Sequence, residues 1–304
     1  MFRNRDLKNL IIPLFLEQLL TILVGLADTF VISFVSEAAV SGVSLVNSFN
    51  TIFIFLFTAL ASGGAVIVSQ YIGSGRKETA GEAASQLLMI SAVFSAGIVL
   101  VLLAAGRPIL RLLFGKVEAD VMAACITYLR ISAYSYPALA VYNSGAAVYR
   151  SLGKTNVTMY ISVMSNIINV IGNAIGVFVL HAGVAGVAWP SLIARTFSAV
   201  AVTVLCFQKK NEVVYTVGWI FKWDTDCLKR IWNIAIPNGV ENGIFQLVKV
   251  ALSSIVALFG TYQIAANGVA QSTSYPNRCN KNMIGKTTGN TANSQDLIDK
   301  RQYL

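Results

Sequence analysis

Long apolar blocks recur along this chain, and their length dictates what it can become. Seven can be drawn, Leu10–Phe34, Ser44–Ile72, Gln86–Ala105, Val121–Val148, Val157–Leu180, Val184–Phe207 and Ile231–Phe259, and an eighth opens near Gln263 and then fails. About twenty apolar residues in a helix cross a hydrocarbon core of ~30 Å. Lipid offers no partner to an exposed backbone group, and blocks this continuously apolar suit helices rather than the alternating strands of a barrel. With 55% hydrophobic and 12% charged residues, against roughly a quarter charged in a soluble domain, a soluble globule is excluded. The short links fit a bundle of antiparallel neighbours. The fold class is an all-α polytopic membrane protein, and the lipid bilayer is its first partner.

The net charge of +9 does not point to nucleic acid, because the Lys and Arg residues fall between apolar blocks and not on a water-facing domain. The leader (Arg3, Arg5, Lys8), the loops with Arg76 and Lys77 and with Arg150 and Lys154, and the linker with Lys209, Lys210, Lys222, Lys229 and Arg230 share one side. The positive-inside rule makes that side, and the N-terminus, cytoplasmic. Arg107, Arg111 and Lys116 face the other way, partly offset by Glu118 and Asp120, and Pro108–Phe114 reads as an interfacial amphipathic helix. The first block outlasts a signal-peptide core and contains Glu17 and Asp28, so it reads as a retained helix. Cys125, Cys206, Cys227 and Cys279 lack metal-ligand spacing and form no disulfide framework.

Residues 1–207 read as a six-helix N-terminal lobe, 208–230 as a cytoplasmic linker, 231–273 as the start of a C-terminal lobe, and 274–304 as a polar tail that is disordered or frameshifted. The lobes are linked by a repeat. Ile12-Pro13 with Glu17 returns as Ile236-Pro237 with Glu241, Leu23-Val24 with Ala27 as Leu247-Val248 with Ala251, and Ala39–Val43 parallels Ala265–Val269. The second copy opens six helices after the first, an even offset that brings both copies into the membrane in one direction, the parallel repeat of transporter folds. The chain thus reads as the six-helix N-lobe plus the first helix or two of a parallel-repeat C-lobe.

Asp28 is the sharpest chemical signal. A carboxylate inside Val24–Val31 costs at least ~2.5–3.5 kcal/mol in the bilayer unless something compensates it. A proton or a bound cation would do so; the alternative is an acid near the outer helix end, wetted by headgroups. Glu17 and Glu241 each follow a proline by one turn, and Pro13 and Pro237 weaken the helix ladder enough to act as hinges. Each glutamate can gate or bind a cation there, or lie at a wet rim. Asn166, Asn169 and Asn173 share one helical face, either binding helices together or coordinating a cation. Tyr134 and Tyr142 in the fourth block could face a cavity for flat aromatic cations or belong to an interface belt. Arg195 needs a partner or snorkels.

Enzyme readings find little support. His181 is the single histidine, and the Gly-Lys-Thr strings at Gly153 and Gly285 lack the earlier glycine of a P-loop. No cofactor is expected, and no metal beyond a possible Na⁺ at Asp28.

With these residues in view, the chain from about Leu7 to Gln271 resembles the multidrug and toxic compound extrusion family of bacterial antiporters. The likeness rests on Ile12-Pro13 with Asp28, Ser41-Gly42-Val43-Ser44, Gly73-Ser74-Gly75, Tyr149-Arg150-Ser151-Leu152-Gly153-Lys154-Thr155 and Gly183-Val184-Ala185-Gly186-Val187-Ala188-Trp189. The resemblance implies two six-helix lobes around a cavity and export of organic cations or drugs across the bacterial inner membrane, driven by Na⁺ or H⁺. It implies that Asp28 is the acid of the N-lobe cation site, that Pro13 is where its helix bends, and that Asn169 and Asn173 are polar members of the same site. Some members have an aspartate where this chain has Asn173. Two other readings stay open, a non-transporting membrane fragment and a lipid-linked sugar flippase with a more cationic cavity.

Overall fold

The computed structural model describes residues 4–115, 117–208, 213, 215, 218, 224–259, 263 and 264, with side chains from Ile12 onward. The Ala265–Val269 repeat, the tail from 274 and most of the linker lie outside them. Among the described residues the regular structure is all helical: α1 (Asn4–Ser33), α2 (Glu37–Gly73), α3 (Lys77–Phe114), α4 (Ala119–Tyr134), α5 (Tyr136–Ser151), α6 (Thr155–Ala174) with a π-helical turn at Ile175–Val179, α7 (Ala185–Cys206) and α8 (Thr225–Val256) with a 3₁₀ turn at Ala257–Phe259.

Five helical stretches are long and apolar enough to cross a membrane singly: Ile12–Ser33, α2, α3, Thr155–Val179 and α7. α4 and α5, at 16 residues each, do so only end to end. The expectation of one helix over Val121–Val148 is therefore corrected. Pro137, in the first turn of α5, offers no N–H and its ring clashes with the carbonyl four residues back, so the α-ladder stops. The N–H of Ser135 turns instead to the carbonyl of Ser132 at 3.0 Å. The separate amphipathic helix at Pro108–Phe114 is also corrected. α3 runs through Pro108 to Phe114, because Leu110 and Phe114 are buried in the core with Leu129. α8, interrupted by Pro237, Glu241 and Lys249, is not among the five.

α2 is the central helix, packed on α8, α5, α3 and α4, while α1 lies chiefly on α6 and α6 on α7. Two apolar cores follow from the alternating helix directions. One gathers Ile32, Val40, Phe114, Val121 and Val187 where α1 finishes. The other gathers Val68, Ala80, Val148, Cys206 and Leu228 at the end where α1 starts. Small residues let helices approach closely, as transmembrane packing requires. A Cβ on Gly176 would stand 2.1 Å from the carbonyl oxygen of Gly186, so the α6–α7 corner closes only with glycine at that position. Gly75 and Gly153 end α2 and α5 with φ of 80° and 74°. Each helps form the same closing bond, Arg76 N–H to Tyr71 O at 2.9 Å and Lys154 N–H to Tyr149 O at 3.0 Å, a left-handed helix stop that glycine adopts without strain.

Candidate functional site

Asp28 is half-buried near the far end of α1, where the Nδ2 of Asn173 on α6 donates to its Oδ1. The same amino group donates to Asn169 Oδ1 at 3.0 Å, and Asn169 Nδ2 donates to Ser191 Oγ on α7 at 2.9 Å. Asp28, Asn173, Asn169 and Ser191 thus form one polar chain across three helices. Asn173 and Asn169 are buried at 1% and 7% exposure, so the amide stripe faces inward. Asn173 Oδ1 is buried without a hydrogen-bond partner, and so is Asn166 Nδ2 on the same face. An unpartnered carbonyl oxygen beside a carboxylate is a costly arrangement in apolar surroundings, and it is also the donor set a small hard cation accepts. Ser191 was not singled out from the sequence, since a lone serine in an apolar helix carries no pattern of its own.

One turn beyond Ser191 is Arg195. Its Nη1 donates to Ser135 Oγ at 2.7 Å, and Ser135 is buried at the α4–α5 break. Its charge acts on Asp28, and on Tyr128 and Tyr136. The partner that Arg195 needed is therefore inside the lobe, and snorkelling does not describe it.

Toward the start of α1 a second cluster forms. Glu17, 5% exposed, receives Arg150 Nη2 at 2.5 Å, Tyr142 OH at 3.5 Å and Thr158 Oγ1 at 3.4 Å. This ties α1 to α5 and α6, one turn past the buried Pro13. The environment is that of an internal ion pair, not of an acid at a wet rim. Glu241 and Pro237 on α8 are exposed, and Tyr134 is 55% exposed; none of the three joins either cluster. Glu17 is covered because its lobe supplies α5 and α6, whereas α8 packs on α2 and α3. An apolar groove of about 350 Å³ between α5 and α7, lined by Pro137, Ala138, Val141 and Thr203 among others, carries no ionisable side chain.

The MatE family model matches residues 13–175, more than half of the chain, and the matched span contains Pro13, Glu17, Asp28, Asn169 and Asn173. The chain belongs to the MatE family. Among MatE relatives, the uncharacterized transporter YisQ of Bacillus subtilis is 28% identical over 263 residues, covering 85% of this chain and 57% of that protein. The probable multidrug resistance protein NorM of Thermotoga maritima is 24% identical over 271 residues, covering 88% and 57%. A solved structure of MATE in the bent conformation superposes with a TM-score of 0.74 at 23% identity, over 88% of this chain and 59% of that one; the likeness is one of fold. The chain spans a little under three fifths of the length of these relatives. MatE proteins are membrane transporters and not enzymes.

Proposed function

We propose that this chain forms the ion-coupling lobe of an antiporter that exports drugs, organic cations among them, from a bacterial cell across the plasma membrane, with its N-terminus in the cytoplasm. Na⁺ or H⁺ taken up at Asp28 neutralises its charge, lets α1 bend near Pro13 and lowers the affinity of the lobe for substrate. The reading is supported chiefly by the buried, unpartnered oxygen of Asn173 beside Asp28. Asp28 supplies the charge, Asn173 and Asn169 supply neutral oxygens, and Ser191 fixes the amide orientation through its bond from Asn169. Alternating access needs ion and substrate to bind two states unequally, and a second lobe must close the other side of the cavity.

Export is the test. Cells making this chain, alone and joined to the second half of a full-length relative, are loaded with a fluorescent organic cation and followed on energising the membrane. Asp28→Asn is expected to abolish gradient-driven efflux in whichever form transports. Unchanged efflux in the variant rejects Asp28 as the coupling group.

A further inference from the structure

Three arginines have no part in the proposed transport cycle. Arg107 and Arg111 break the positive-inside pattern, and Arg130 lies within the apolar block Val121–Val148. The packing of α3 on α4 decides how they stand to one another. A Cβ on Gly106 would be 3.4 Å from a methyl of Leu129, and Leu110, Phe114 and Leu129 share one apolar core. Gly106 and Leu129 are therefore facing positions on two consecutive antiparallel helices. One residue further along, each helix has turned by 100°. Because the helices run in opposite directions, both turns lead to the same side of the pair. Arg107 and Arg130 thus stand level on one face, and Arg111 is one turn beyond Arg107. All three are exposed. Among the described residues the one ion pair within 4.0 Å is Glu17–Arg150, so no acid neutralises this group; Asp120 precedes Arg130 by ten residues, ~15 Å along α4.

The level at which they gather is that of the membrane surface. The apolar block of α3 stops at Ala105, so Arg107, and Arg130 beside it, stand where hydrocarbon gives way to headgroups. Toward the middle of the bilayer the same face is apolar. Leu103 and Leu100 precede Arg107 by four and seven residues, the spacing of one helical stripe, and are 39% and 69% exposed. Tyr134, 55% exposed, follows Arg130 by one turn. The face therefore has a cationic top and an apolar stem, the complement of an anionic amphiphile. Like charges crowded at the edge of a low-dielectric slab repel one another, and a shared anion relieves them. Guanidinium forks match phosphate oxygens, and basic pockets between membrane helices take anionic headgroups. We infer that this face of α3 and α4 binds an anionic phospholipid, its phosphodiester on Arg107, Arg111 and Arg130 and its acyl chains along Leu103, Leu100 and Tyr134. A zwitterionic lipid gains less, because its own cation meets the arginines. In the orientation proposed above the lipid belongs to the outer leaflet, and its binding does not depend on Asp28.

The test titrates the full chain, purified in detergent, with dioleoylphosphatidylglycerol or dioleoylphosphatidylcholine, and native mass spectrometry counts the lipids bound. The first phosphatidylglycerol is expected to bind the wild type roughly tenfold or more tighter than the first phosphatidylcholine, the size of one charge-assisted hydrogen bond. The double variant Arg107→Gln, Arg130→Gln should lose that preference. Arg76→Gln, Lys77→Gln removes the same charge from exposed positions at the other end of the bundle and should keep it. Glycerol 3-phosphate, a headgroup without chains, should leave the lipid bound. The wild-type preference and the glycerol phosphate arm need no variant, so they hold even where glutamine disturbs folding. A wild type without preference, a preference that survives in the Arg107, Arg130 variant, or equal loss in both variants overturns the inference. Displacement of the lipid by glycerol 3-phosphate overturns it as well, in favour of a site for free phosphate.

Discussion

The Asn173 amide serves two acceptors with one amino group and leaves its own oxygen bare. That is the residue-scale basis for the proposed cation site, and its counterpart at the start of α1 is the Glu17–Arg150 pair. Removing one partner of a buried pair costs about 3–5 kcal/mol, because the other charge is left without compensation. Arg150 is 34% exposed and Glu17 only 7% by side chain, so the loss falls unevenly. Arg150→Met should destabilise the lobe by about 3 kcal/mol, and Glu17→Gln by less, since a neutral amide can still accept from Tyr142 and Thr158. Denaturant titration of the detergent-solubilised chain checks the order of the two; equal or negligible losses would mean the pair is a wetted surface contact. Asp28 and the asparagine stripe were legible in the sequence, because a charge or a repeated amide inside an apolar block stands out by itself. Arg150 as the partner of Glu17 was not, since the two are separated by 133 positions and only packing brings them together. Ser191 and the inward turn of Arg195 were hidden for the same reason.

At the scale of helices, one break and one widened turn shape the site. The break at Ser135 gives Arg195 its hydrogen-bond acceptor, and Pro137 is the residue that marks it, although the apolar run Val121–Val148 around it reads as one helix. The π-helical turn at Ile175–Val179 had no such marker. It sits where Gly176 and Gly186 bring α6 and α7 to backbone contact, a tertiary event that local propensity does not encode. Asn173 lies just before that turn, so its position depends on the corner. Gly176→Ala would place a methyl 2.1 Å from a carbonyl oxygen and should lower the melting temperature by several degrees or more, the scale of ~1–3 kcal/mol from overpacking. Gly25→Ala in α1, with nothing within 4 Å of the added carbon, should leave it unchanged or raise it, as alanine favours helix. Equal melting temperatures for the two variants would show that the corner is not closely packed.

For the whole molecule, length and hydropathy alone fixed a polytopic helical lobe, and the MatE match over residues 13–175 agrees with it. The repeat of Ile-Pro and Glu predicted a second lobe entered by α8. α8 lies along α2, where Gly63 and Ala235 meet at one end and Ser48 and Ser253 at the other, so the first helix of the repeat is seated on the middle of the lobe. In the proposed cycle Asp28 cannot hold the coupling ion and the positive end of a substrate together. Ligand binding must therefore depend on the ion through this one carboxylate. The decisive quantity is the dissociation constant of the rhodamine B ethyl ester in nanodiscs, measured with rising Na⁺ and with falling pH, for the wild type and for Asp28→Asn. Affinity in the wild type should weaken with at least one of the two ions, and in the variant it should be low and flat; a wild type indifferent to both ions, or a variant that keeps the full ion dependence, would remove Asp28 from the mechanism.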